Sequence, residues 1–415
     1  MLLTKYLENY AESESQQNFT HIKPAINCLV IPCRDESTDL LSRLKILLSY
    51  NPSTLVILVV NQPASQIDSV LNETLAKAAK DELVNSILVI DRFSDGKCID
   101  DKHGVGLARK IGCDAACQLI AQGVISSQWI HTSDADVSWP HDYFTATAEL
   151  HSYAAVIYPF THQPRSGVSG LPIALYELSL RYYLAGLKYA GSPYSYHSIG
   201  STLAINANNY AMVRGFPKRS AGEDFHILNK LRKTGDIASL QAPAITIFDR
   251  DSNRTPFGTG PAVSKLSAMQ DATEEYLYYH PQCFELLKTW LDFTPSLFDL
   301  GNTEKVITTL KKTLKPVLVE ALLFAKIEQQ LNHCFKQAKT NQGFVKQLND
   351  GFDALTTLRL IHYLRDHQYP SIDVKELLTL NTWFTLALNG DYEQKNQLDI
   401  NQQSITLVNH YLARQ

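Results

Sequence analysis

The sequence predicts an α/β protein: a mostly parallel sheet with helices on both faces, followed by an all-α C-terminal region. Three observations predict it. Short continuous apolar runs alternate with helix-period segments through the first half, the pattern of strands buried on both faces. Polar clusters recur at the carboxyl ends of those runs, where open α/β sheets bind ligands. Past about residue 260 strand signals become scarce and helical periodicity dominates. A chain of 415 residues exceeds the roughly 250–300 residues at which a single core stops growing. Two domains are therefore expected, 1–262 and 263–415.

Residues 26–31 form an apolar run closed by Pro32, read as the first strand. Leu40, Leu41, Leu44, Leu47 and Leu48 then recur at helical spacing, with Ser37 or Thr38 as N-cap. A second strand covers 55–60, a helix about 67–83, and a third strand 87–90, ending at Asp91. The helix expected over 104–122 places Ala108, Ile111, Ala115, Ala116 and Leu119 on one face. The fourth strand, 129–132, runs directly into Ser133-Asp134-Ala135-Asp136. A strand over 154–160, a long helix over 171–189, a short strand over 202–205 and a helix capped by Asn206 follow. The remaining segments, near 273–292, 303–338, 342–366, 373–389 and 403–413, read as helices.

The bulk properties narrow the function class. The chain is 45% hydrophobic and 19% charged, and 38 basic against 42 acidic side chains give a net charge of −4. That balance argues against a surface built for polyanions, so no nucleic-acid partner is expected. No apolar run reaches the ~18 residues of a membrane span, and the start lacks the basic-then-apolar order of a secretion signal. A cytoplasmic protein is expected, with peripheral contact at the inner face of a membrane left open. Seven cysteines without a CxxC pair read as buried free thiols.

The chemistry concentrates in acidic pairs. Asp134 and Asp136 lie two residues apart at a strand end, and on an extended backbone such residues point the same way. Two carboxylates facing one cation suit a hard divalent ion, Mn²⁺ or Mg²⁺, shared with substrate phosphates. Glu223-Asp224 follows the Gly222 turn at the start of a helix. There a carboxylate either caps the helix dipole or accepts a proton from a hydroxyl as a general base.

In this order the motifs resemble those of GT-A-fold glycosyltransferases of the family 2 type, over roughly residues 26–260. The resemblance is carried by Val30-Ile31-Pro32-Cys33-Arg34-Asp35-Glu36, by Gly104-Val105-Gly106-Leu107-Ala108-Arg109, by the DxD pair Asp134 and Asp136, and by Arg214-Gly215-Phe216-Pro217 followed by Glu223-Asp224. It implies transfer of a sugar from a nucleotide-diphosphate donor to a hydroxyl acceptor (glycan, lipid-linked or small molecule), with inversion. Asp224 would be the base, Glu223 its support, and Asp136 the metal ligand assisted by Asp134. Nucleotide-sugar contacts are expected from Pro32, Arg34, Glu36, Asn61, Asp91, Arg109, Asp134 and Arg254.

Several of these carry a second meaning. Family members commonly have Asp-Asp-Gly-Ser at the second strand end, where this chain has Val60-Asn61-Gln62-Pro63; Asn61 still offers an amide to a base edge. Asp91 either contacts the nucleoside or caps its turn. Arg109 either reaches a phosphate or lies on a solvated helix face. Arg254 sits in a Gly- and Arg-containing stretch, 250–260, suited to closing over phosphates. His197 and the tyrosines 176, 182, 183, 189, 194 and 196 are either packed or near the sugars.

There is no P-loop, HExxH or GxSxG, and Arg109 stands where a dinucleotide fold has its third glycine. Two alternatives remain: a catalytically inactive GT-A-like interaction module, and a nucleotidyltransferase, which would need a glycine-rich basic loop after the first strand.

Overall fold

The computed structural model describes residues 2–66, 69–163, 170–248, 258–389 and 406. The chain divides into two compact units, one of residues 1–168 with 198–261 and one of residues 169–197 with 262–415. The segment 169–197, which lies within the stretch 1–262, clusters with the second unit.

The first unit opens with helix α1 (Leu2–Asn9) and then alternates strand and helix: β1 (Asn27–Cys33), α2 (Asp39–Tyr50), β2 (Thr54–Asn61), α3 (Val70–Glu82), β3 (Ile87–Arg92), α4 (Gly104–Ala121) and β4 (Trp129–Thr132). Every residue of β2 and all but the first of β1 are buried, as a run of Val, Ile and Leu demands when helices cover both faces. The strands β5 (Val137–Ser138), β6 (Ala155–Ile157), β7 (Phe160–Gln163), β8 (Leu203–Asn206), β9 (Ile237–Ser239) and β10 (Ile245–Phe248) complete two sheets. The main sheet has the order β3-β2-β1-β4-β8-β6-β9, and the small one β5-β10-β7. In the main sheet β8 alone runs antiparallel to its two neighbours. This is the Rossmann-like α/β architecture expected from the sequence.

The chain builds outward from β1 to β2 and β3, then returns to place β4 on the other side of β1. The reversal leaves a switch point between the carboxyl ends of β1 and β4, the usual ligand crevice of such sheets. Pairing of β1 with β4 stops at Val30, while pairing with β2 continues through Pro32 to Cys33. Pro32 therefore does not end the strand; it sits where only β2 is paired. The expected strand over 154–160 is two strands. After Ile157 the chain passes Tyr158-Pro159 and joins the other sheet at Phe160.

After α5 (Leu171–Tyr189), helices α6 (Ala207–Met212) and α7 (Glu223–Leu231) belong to the first unit; α5 and the last residues of α8 (Thr259–Ser267) share the second unit's core with the helices that follow. These are α9 (Ala272–Glu275), α10 (Pro281–Phe293), α11 (Thr303–Thr313), α12 (Pro316–Phe324), α13 (Ile327–Gln337), α14 (Asn341–Gly351), α15 (Ala354–His367), α16 (Val374–Thr379) and α17 (Trp383–Asn389). The periodic run 303–338 is thus three helices. Pro316 cannot continue α11 and starts α12, and Lys326 at φ 60° separates α12 from α13. Asn302, Thr340, Asp353 and Asp373 each accept a backbone amide as N-caps. Tyr182, Tyr183 and Tyr189 lie in or against this unit's core: Tyr182 and Tyr189 stack on Trp383, and Tyr183 meets Phe284. The helix expected over 403–413 lies outside the described residues except for Thr406, which is helical.

Candidate active site

The site grows from α4. Arg109 is 1% exposed, so it is not on a solvated face. It can lie so deep because every nitrogen of its guanidinium meets an oxygen. Nε donates to Glu223 Oε1 at 3.1 Å and Nη2 to Asp134 Oδ1 at 2.6 Å. Nη1 donates to Thr132 Oγ1 at 2.7 Å and to the carbonyls of Ser133 and Gly200, both at 3.3 Å. A Cβ on Gly200 would meet Arg109 Nη2 at 2.6 Å, so only glycine leaves room for that carbonyl to approach. Burial works against the charge on Arg109; Asp134 and Glu223 outweigh it and raise its pKa. The phosphate-binding role expected of Arg109 does not match this placement. Its donors are committed to the protein, and it ties the DxD turn to the Glu223-Asp224 corner.

Asp134 and Asp136 leave β4 on a turn at residues 135–136, not on an extended backbone, so strand alternation does not orient them. The turn is held from four sides. Besides Arg109, Ser201 Oγ donates to Asp134 Oδ2 at 2.5 Å, Arg43 Nη2 from α2 donates to the Ala135 carbonyl at 2.6 Å, and the Phe248 amide at the end of β10 donates to the Asp136 carbonyl at 2.8 Å. The Asp134 side chain is 33% exposed, and Asp136 is half-buried.

Gly222, at φ 71°, supplies the left-handed turn that starts α7, and Glu223 and Asp224 form its first residues. Glu223 is buried against Arg109, while Asp224 keeps partial exposure. Burial raises the Asp224 carboxyl and Glu223 raises it further; the Phe225 amide and Arg109 pull it back, and it ends at about 7. A carboxylate poised near neutrality can take a proton and release it.

The other expected residues divide. Around the end of β1, Pro32 is buried, Arg34 Nε donates to Gln66 Oε1 at 3.2 Å, and Glu36 is half-buried. Asp35, at φ 52°, is held by the Gln66 amide and the Ser69 hydroxyl. Asn61 is buried, and its amide donates to the carbonyls of Cys33 at 2.9 Å and Val59 at 3.1 Å. It locks two strand ends together and does not present that amide to a base. Asp91 caps its own turn: Oδ1 accepts the amides of Phe93 and Ser94, and Oδ2 takes Lys97 at 2.9 Å. Burial would raise its pKa, but Lys97 and these amides hold it well below the usual carboxylate range. Arg254 lies outside the described residues, and His197 falls in the second unit.

Sequence reasoning placed none of Arg43, Thr132 and Ser201 in the site. Thr132 was legible as the last residue of the strand that runs into the DxD pair. Nothing in the sequence flags Arg43, which reaches the turn from 92 positions away.

A divalent cation fits the donor chemistry here. One guanidinium faces three carboxylates, Asp134, Glu223 and Asp224, which leaves negative charge in excess. Among the described residues no group of three or more His, Cys, Asp or Glu is placed to hold a metal. The carboxylates that could hold a cation are Asp134 and Asp136, a pair of the kind Mg²⁺- and Mn²⁺-diphosphate sites often use.

No known protein-family profile matches the chain. Among solved structures, it is similar to a crystal structure described as a mycobacterial protein, at 15% identity and a TM-score of 0.33, covering 61% of this chain and 78% of that one. It is also similar to glucosyl-3-phosphoglycerate synthase from Mycobacterium tuberculosis, crystallised with Mn²⁺, UDP-glucose and phosphoglyceric acid, at 14% identity and a TM-score of 0.31, covering 61% of this chain and 84% of that one. Likenesses this distant leave the chain's own geometry to carry its function. The seven Cys are free thiols, and all but Cys98 are buried. No helix among the described residues is long and apolar enough to cross a membrane.

Proposed function

We propose that the protein is a glycosyltransferase of the GT-A type, moving a sugar from a nucleotide-diphosphate donor to a hydroxyl acceptor with inversion. The observation that carries it is the single buried guanidinium of Arg109, which joins Asp134 of the DxD turn to Glu223 of the second acidic corner. Two motifs 89 positions apart thereby meet at one site beside the sheet's switch point. Mn²⁺ or Mg²⁺, held by Asp136 with Asp134, would neutralise charge developing on the departing diphosphate. Asp224 takes the acceptor proton as the new bond forms. Glu223, fixed by Arg109, holds the corner and keeps the Asp224 carboxyl above its ordinary range. The donor crevice is bounded by Pro32, Arg34 and Glu36 at the end of β1.

The test is a melting-temperature panel of UDP, GDP, ADP, CDP and UDP-glucose, with and without Mn²⁺. A ligand that binds only the native state must raise its apparent stability, by about 2.7 kcal/mol at a hundredfold excess over Kd. We expect at least one nucleotide to raise it, more with Mn²⁺. No rise with any nucleotide would favour a second reading, a non-catalytic interaction module. Asn61 favours that module, since its amide is spent on strand ends. Proton NMR of the product decides the stereochemistry: retained configuration would remove the role given to Asp224.

A further inference from the structure

We infer that Gly104 and Gly106, at the amino end of α4, are positioning residues for Asp224. They let the backbone of residues 217–220 lie directly on the helix, and that segment leads into the turn from which Asp224 projects. What Asp224 does rests on the sugar-transfer reading; how it is held does not.

The Gly106 amide donates to the Arg219 carbonyl at 2.9 Å. A Cβ at Gly106 would stand 2.5 Å from the Pro217 carbonyl oxygen, 2.6 Å from that of Arg219 and 2.8 Å from the Arg219 nitrogen. A Cβ at Gly104 would stand 2.7 Å from Ser220 Cα, and Gly104 itself has φ +40°. The atoms met closest are backbone, so no side chain can swing aside; the segment itself must move. Its other flank is pinned. Lys218 Nζ lies 2.7 Å from Glu12 Oε1, and the Arg214 guanidinium sits 4.5 Å from the Tyr10 ring centroid. Gly222 and α7 follow at once, so a displacement of Arg219 reaches Asp224 within five residues. The same contact directs the Gly106 amide at protein backbone, where a phosphate-binding helix would aim it at ligand.

The experiment compares Gly106→Ala with Gly123→Ala in the full chain. Gly123 follows α4 at its far end, at φ +73° with no atom within 4 Å of an added Cβ. That variant strains the backbone without touching residues 217–220. The readouts are calorimetric binding of UDP with Mn²⁺, UDP release from UDP-glucose, and amide hydrogen exchange over residues 218–225. A misplacement approaching 1 Å costs on the order of a hundredfold in rate. For Gly106→Ala we expect turnover to fall about 10- to 100-fold, UDP affinity to stay within about threefold, and exchange over 218–225 to quicken. Gly123→Ala should change none of the three. Turnover within about threefold of the parent in folded Gly106→Ala, or an equal loss in Gly123→Ala, overturns the inference. A parent chain that binds none of UDP, GDP, ADP and CDP with Mn²⁺ counts against the sugar-transfer reading instead, and one that binds another of them is assayed with that nucleotide and its sugar conjugate. Exchange then decides the packing: faster exchange in Gly106→Ala alone supports it, and unchanged exchange overturns it.

Discussion

Arg109 and Lys110 are consecutive residues on α4, both buried, and each gathers carboxylates around a cation. On the Lys110 side the charges balance and every group is satisfied. The ammonium donates to Asp114 Oδ2 at 2.7 Å, Tyr6 Oη at 2.8 Å and the Tyr10 carbonyl at 3.0 Å. Asp114 accepts from Tyr6, Tyr210, the Glu12 amide and Lys110, four donors for its roughly four lone-pair sites. Nearby, Glu12 is answered by Lys218. On the Arg109 side one cation answers three carboxylates, and Asp134 keeps a third of its side chain in solvent. A saturated, neutral, sealed network docks the N-terminal segment onto α4. An over-acidic network with an open edge suits the cation binding and proton transfer proposed for it. Burial alone does not separate structure from function here; surplus charge and access do.

Three variants sharpen that contrast. Asp224→Asn should have the largest effect, lowering turnover by about 10²–10⁴-fold, as loss of a general base does. Its stability should move the other way. The Asp224 carboxyl sits at about 7 in the folded protein against about 3.9 in an unfolded chain. Folding therefore favours the protonated form, and the stability from that proton is complete below about pH 4 and lost as pH rises through about 7. Parent turnover should rise with pH through the same window in which stability declines. Melting curves from pH 4 to 8 should be flatter for Asp224→Asn, and its melting temperature at pH 8 higher than the parent's. A lower melting temperature at pH 8 would show that Asp224 is structural.

Lys110→Met comes next and should act on stability alone. Removing one partner of a buried pair costs about 3–5 kcal/mol, because Asp114 is left buried without its cation. Denaturant titration should show that loss, with turnover per folded molecule unchanged. Adding Asp114→Leu should recover part of it, and full additivity of the two losses would contradict the closed network. The smallest effect belongs to Ser201→Ala. It removes the 2.5 Å hydroxyl donor to Asp134 and should cost about 1 kcal/mol of stability. It should also weaken Mn²⁺-dependent UDP binding severalfold by freeing the DxD turn. Unchanged Mn²⁺ dependence would detach Ser201 from the site.

Much of the local structure was legible. Trp129–Thr132 and Leu171–Tyr189 fall where the patterns place them, because a continuous apolar run and a 3.6-residue period are local properties of the chain. The acidic pairs were legible for the same reason. The partners of Arg109 were not. A helical Arg reads as solvated, and only the crossover that sets β4 beside β1 brings Thr132 and Asp134 to its guanidinium. Asn61 and Asp91 show the reverse: strand-end polar residues at a ligand-binding edge, the Asn61 amide taken up by backbone carbonyls and the Asp91 carboxylate by two backbone amides and Lys97.

By itself the sequence determined the layered α/β class, the alternation of strands and helices from β1 to β4, the helical character after residue 260 and the two acidic motifs, since each is written in composition and spacing within about twenty residues. Only the tertiary structure decided that the two motifs share one guanidinium, that Gly106 shoulders the Arg219 backbone, and that 169–197 clusters with the C-terminal helices. These depend on contacts between residues 25 to 114 positions apart or more, and no local period encodes which distant groups a buried charge will find.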